Sequence, residues 1–82
     1  MTRDEIRARL EDWLADVLDL DQVVLKDEST AEEFADWDSV NHVRLLIKIE
    51  QELGFQFNSS DVGMVETAGE LIDLIEKKLA ST

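Results

Sequence analysis

The chain has 82 residues, no Cys, no Pro and three Gly, with 44% hydrophobic residues and a net charge of −12 from twenty acids and eight bases. Residues 1–82 allow one small domain with a modest core, and the missing cysteines exclude disulfides and thiolate metal sites. The acidity argues against nucleic acid, whose phosphates require Lys and Arg, and favours proteins with basic surfaces.

The opening Met1-Thr2-Arg3-Asp4-Glu5 has no apolar h-region, so no signal peptide is expected. No apolar run approaches transmembrane length, and a cytoplasmic monomer without membrane insertion is the expectation. Residues 2–18 read as an amphipathic helix: Thr2 and Glu5 form an S/T-x-x-E capping box. Ile6, Leu10, Trp13, Leu14, Val17 and Leu18 fall on one helical stripe. Residues 19–38 show no clean period. Leu20, Val23, Val24 and Leu25 have strand composition, but no second strand is available to pair with them. The segment reads as a long loop whose apolar residues dip into the core, with a short helical turn near Thr30–Phe34. Loops of this length in small domains are often functional. Between Glu11 and Asp38 eleven acids face a single base, Lys26, so this stretch alone carries −10.

Residues 39–53 read as a second helix, with Asp38 as N-cap and Gly54 as C-cap. Its apolar residues exceed one stripe. Leu45, Leu46, Ile49 and Leu53 cluster on one face; Val40, Val43 and Ile47 form another, roughly 140° away. The first face should be core. The second, flanked by Arg44 and Lys48, should form a partner surface and one wall of a crevice toward Val65 and Leu71. Phe55-Gln56-Phe57 then leads into a short helical turn at 59–64, broken by Gly63. Thr67 and Glu70 repeat the capping box before a last helix carrying Leu71, Ile72, Leu74, Ile75 and Leu79. Lys77 and Lys78 suit its negative end, and fraying is expected at Ser81-Thr82. Three main helices, one short helix and a long first connection make an all-α four-helix bundle.

Little in this sequence resembles reaction chemistry. Ser39 lies at a helix start, where free N–H groups and the positive end of the helix dipole favour a phosphate. His42 is three residues on, but hydrolysis would also need an orienting group, an oxyanion hole and a cleft. His42 instead projects toward Leu45 and Ile49 and is expected to be packed. The acids from Asp19 fail the EF-hand pattern, so no dedicated metal site is expected. Trp13 should be core, and Trp37 should pin the end of the long loop.

Asp38-Ser39-Val40 at a loop-to-helix junction, after an acidic loop in an acidic helical chain of this size, resembles the acyl carrier protein family. The similarity runs from Ile6 to Leu79. It includes the approach Phe34-x-x-x-Asp38-Ser39 and the run Ile49-Glu50-x-x-Leu53-Gly54-Phe55-x-Phe57. The resemblance implies a four-helix carrier fold without enzymatic activity. It implies 4′-phosphopantetheine on Ser39, added from coenzyme A by a phosphopantetheinyl transferase, with Asp38 as the motif neighbour. The arm's thiol would hold acyl or aminoacyl groups as thioesters. Partners would be acyl-loading and acyl-transferring enzymes with basic docking patches, meeting Val40, Val43, Arg44 and Ile47. Ser29, Ser59, Ser60 and Ser81 lack the context of Ser39. The chain departs from the usual pattern at Asp36, where Gly is common, and at Val40, where Leu is usual. Asn41 and Arg44 stand at positions that are often acidic. These departures suit a discrete carrier of a specialised pathway. The other reading is an acidic helical interaction domain that carries no cofactor.

Overall fold

The computed structural model describes residues 1–63 and 65–81, Ser81 by its backbone alone. Among the described residues four helices appear in chain order: α1 (Arg3–Leu18), α2 (Ser39–Leu53), α3 (Ser59–Val62) and α4 (Ala68–Ser81), with a 3₁₀ turn at Ala31–Glu33 between α1 and α2. The all-α architecture is the expected one. Thr2 caps α1 through the reciprocal box with Glu5. Asp38 caps α2 by accepting the Asn41 N–H at 2.9 Å. Gly54 closes α2 at φ 75°, a left-handed conformation that costs glycine nothing. Thr67 and Glu70 pair at the start of α4. Fraying was expected at Ser81-Thr82, but α4 runs through Ser81; Thr82 is outside the described residues, as is Met64 at the end of the expected 59–64 turn.

Helix α1 packs against α2 and α4, and the core forms from its Ile6, Leu10, Trp13, Leu14 and Leu18 with Leu45, Ile49, Leu71, Ile72 and Ile75. Leu46 and Leu53, expected as full core, are only half-buried at its edge. In the 20–25 stretch of the long loop only alternate residues dip inward: Val23 and Leu25 are buried, while Leu20 and Val24 face solvent. The extended segment needs no partner strand there, because the Glu11 carboxylate accepts the Leu25 N–H at 2.7 Å. Among the described residues no helix is long and apolar enough to cross a membrane.

The loop is latched to α4. The first turn of a helix leaves N–H groups without intrahelical partners. Ala68 N–H donates to the Ser29 carbonyl at 2.8 Å and Gly69 N–H to the Asp27 carbonyl at 2.9 Å. The buried Ser29 hydroxyl accepts the Lys26 N–H at 2.8 Å and holds this turn in shape. Arg3 and Arg7 both pair with the Asp27 carboxylate, and Arg3 reaches on to Asp73 and Glu76 of α4. Those two carboxylates hold the Arg3 guanidinium above its already high ordinary pKa. Lys78 ties α4 to α3 through Asp61 at 3.1 Å, holding that carboxyl below the usual range.

Candidate functional site

The junction before α2 is built by local bonds. Trp37 N–H donates to the Phe34 carbonyl at 3.1 Å, and Asp38 N–H to the Asp36 carbonyl at 2.9 Å. The Asn41 side-chain amide donates to that same Asp36 carbonyl at 2.7 Å, so Asn41 clamps the turn from inside the helix. Trp37 is 7% exposed, with its ring 5.9 Å from Phe34, and pins the end of the loop as expected. Asp38 is extended (φ −94°, ψ −175°), which directs its carboxylate back over the first turn as the cap.

Ser39 is therefore the first residue of a 15-residue helix, and it is exposed. Asp38 satisfies the N–H groups of Asn41 and His42, through its side chain and its carbonyl respectively. The N–H groups of Ser39 and Val40 have no protein acceptor among the described residues. A hydroxyl beside two free N–H groups and the positive end of a helix dipole fits an attached phosphodiester.

Beside Ser39 opens a crevice of about 560 Å³. Trp37, His42 and Val43 contribute from the α2 side, Ala31 from the loop, and Val65 and Leu71 from the far side. Asp38, Glu66 and Thr67 add polar groups. His42 is half-buried and accepts the Trp37 indole N–H on Nδ1 at 3.1 Å. Burial holds its imidazole below the ordinary value of 6.5. It packs as expected, and among the described residues no second group orients it toward Ser39 as a base.

The structure brings only part of the expected surface to this crevice. Val40, Val43 and Ile47 are exposed, at 61%, 53% and 47%, and form an open face of α2. Val43 alone of the three lines the crevice. Ile47 borders a separate shallow depression with Glu50 and Phe55, because it sits one further turn along the helix. Arg44 is exposed on the same face. Lys48, expected beside it, turns toward α1 and approaches Asp16 at 3.7 Å. Glu50 proves structural: its carboxylate accepts the Phe57 N–H at 2.7 Å, and Phe55 and Phe57 pack edge to face at 5.1 Å. Among the described residues no His, Cys, Asp and Glu side chains group as a metal site would require. The Trp37–His42 pair and the Asn41 clamp were not anticipated. Their only trace in the sequence is polar side chains within one turn of a helix start.

Comparison with known proteins agrees with this geometry. Residues 8–75 match the phosphopantetheine attachment site family. The acyl carrier protein of Thermotoga maritima is 27% identical over 78 residues, 95% of this chain and 96% of that protein. That of Coprothermobacter proteolyticus is 28% identical over 79 residues, 96% of each. A solved holo acyl carrier protein from Geobacter metallireducens superposes with a TM-score of 0.87 at 30% identity, covering 93% of this chain and 87% of that one. The exposed serine at a helix start, the four-helix frame and these matches together show that the chain belongs to the phosphopantetheine-attachment family of acyl carrier proteins.

Proposed function

We propose that Ser39 is the residue that carries 4′-phosphopantetheine and that the face of α2 bearing Val40, Val43, Arg44 and Ile47 is where partner enzymes dock. The chain is a carrier and not an enzyme, with covalently attached 4′-phosphopantetheine. When bound, that group supplies a thiol on which acyl groups travel as thioesters. The protein's own residues position it. The observation that carries the assignment is the exposed Ser39 hydroxyl on the first turn of α2, next to N–H groups with no protein acceptor among the described residues. Asp38 holds that turn open by capping it from the loop side.

Docking follows from charge and shape. The segment from Glu11 to Asp38, at −10, leads directly to the exposed apolar face of α2. A partner with a basic patch beside an apolar contact complements both, and its encounter should be fast and salt-sensitive. Arg44 places a positive charge within that face and disfavours partners that present a base there. A cofactor-free interaction domain would need neither an exposed hydroxyl at that helix start nor the family match.

The test is intact mass after incubation with coenzyme A and a broad-specificity phosphopantetheinyl transferase. The wild-type chain should gain one phosphopantetheine. Ser39→Ala should remain folded, since the side chain is exposed, and gain nothing. A normal gain by Ser39→Ala would overturn the assignment.

A further inference from the structure

Asn41 grips the chain on both sides of Trp37. Its side-chain amide donates to the Asp36 carbonyl at 2.7 Å, and its backbone N–H donates to the Asp38 carboxylate at 2.9 Å. The Asp36 carbonyl also accepts the Asp38 N–H at 2.9 Å, so Asp36, Asp38 and Asn41 close a ring of hydrogen bonds. Ser39 lies within the stretch of chain that this ring closes. A second tether runs from the Trp37 indole to His42 Nδ1 at 3.1 Å. That tether holds the far end of an aromatic ring, which rotatable side-chain bonds separate from the backbone. The Asn41 amide grips the main chain itself.

Helix capping does not require that side-chain amide. Asp38 already satisfies the N–H groups of Asn41 and His42, and the amide offers no acceptor to the free N–H groups of Ser39 and Val40. What it constrains is the 36–38 turn against the first turn of α2. Fraying starts at a helix end, where the first N–H groups lack intrahelical acceptors. Ser39 is the residue most sensitive to it. Its exposed hydroxyl makes no hydrogen bond among the described residues, so the backbone alone sets where the oxygen lies. Attachment depends on that placement. The Ser39 oxygen forms a bond to the phosphorus that carries pantetheine in coenzyme A. The bond from that phosphorus to adenosine 3′,5′-bisphosphate breaks, and the hydroxyl proton is released. The attacking and leaving oxygens must stand roughly in line, and a misplacement of about 1 Å costs on the order of a hundredfold in rate.

We propose that Asn41 is a positioning residue for the modification of Ser39: its amide clamps the 36–38 turn to α2, so that the hydroxyl is presented to the transferase in one place. Asn41 acts through the backbone of Asp36 and Asp38 and supplies no atom to the reaction. The inference rests on Ser39 as the attachment point, and intact mass reports that point separately before any rate is read.

The experiment is single-turnover modification of the full chain by a broad-specificity phosphopantetheinyl transferase and coenzyme A, followed by intact mass over a range of transferase concentrations. Asn41→Asp is nearly isosteric, but a carboxylate cannot donate to the Asp36 carbonyl. An acid in the first turn suits the positive end of the helix dipole, so this variant keeps its fold and loses the clamp. Its maximal rate at saturating transferase should fall about fivefold, the equivalent of the ~1 kcal/mol of one neutral hydrogen bond, with no rise in the half-saturating concentration. Asn41→Ala removes the donor without adding charge; its maximal rate should fall alike, and it serves if Asn41→Asp does not fold. Nitrogen-15 relaxation should show larger backbone motion at residues 36–39 in both variants than in wild type. A wild-type maximal rate in either folded variant would overturn the proposal. So would a loss that comes wholly from a higher half-saturating concentration, which would make Asn41 a docking contact. Failure of the wild-type chain to gain mass would overturn the attachment at Ser39, and this inference with it.

Discussion

Replacing Gly69 by Ala should destabilise the protein, although the same change in most helices stabilises it. Ala is favoured over Gly by about 1 kcal/mol in a helix interior, and Gly69 lies in the first turn of α4, so propensity alone predicts a gain. The structure reverses the sign. A Cβ at Gly69 would sit 2.8 Å from the Asp27 carbonyl oxygen and 3.1 Å from the Asp27 Cα. Both are backbone atoms, so no side-chain rotation relieves the clash. The loop must retreat, and with it go the Gly69-to-Asp27 and Ala68-to-Ser29 hydrogen bonds. Overpacking costs about 1–3 kcal/mol, and each buried polar group left unpaired costs another ~1–3 kcal/mol. Against a gain of about 1 kcal/mol, a net loss of about 2 kcal/mol follows even at the lower end of both ranges once two groups are affected. For a domain of this size 1 kcal/mol corresponds to roughly 4–8 °C, so Tm should drop by roughly 8–16 °C. Thermal melts by circular dichroism read this directly. An unchanged or raised Tm for Gly69→Ala would show that the latch between the long loop and α4 gives way at no cost, and would refute the argument.

The two faces of α2 should respond differently: Leu45→Ala, at a residue 0% exposed, should cost about 2–5 kcal/mol, whereas Ile47→Ala should cost well under that and slow reactions with loading enzymes. Equal melting shifts and unchanged loading would make the open face ordinary packing. His42 should make stability pH-dependent. Its folded pKa lies below the ordinary 6.5 because burial disfavours the charged ring, so the unfolded chain binds the proton more readily. The contribution is fully present above 6.5 and is lost as pH falls toward the lower folded value. His42→Phe should therefore lose less Tm than wild type between neutral pH and about pH 5, a difference that cancels the carboxylate effects common to both. Arg44→Glu should improve use by enzymes that serve more acidic carriers and weaken use by the native partner; steady-state loading rates that move in neither case would mark Arg44 as a solvated surface residue.

Helix positions, their ends and the serine at the start of α2 were legible in the sequence because each depends on neighbours within a turn or two. A stripe such as Ile6, Leu10, Trp13 and Leu14 follows the period of the helix itself. Caps such as Thr2 with Glu5, Asp38 and Gly54 satisfy backbone groups three or four residues away. The split between the two faces of α2 follows from the same local arithmetic. Contacts between segments distant in the chain have no such signature. Nothing periodic distinguishes Val23 and Leu25, which are buried, from Leu20 and Val24, which are not. That choice is made where the loop crosses α1 and meets the Glu11 carboxylate. The need for glycine at position 69 exists only because Asp27, forty-two residues earlier, passes within touching distance of α4. The crevice likewise forms where α2 faces Val65 and Leu71, so the tertiary arrangement admits Val43 and excludes Val40 and Ile47. It also turns Lys48 toward Asp16 and leaves Arg44 to the open face. Local chemistry therefore singled out the serine proposed as the attachment point, and the packing of distant segments decided which side chains surround it.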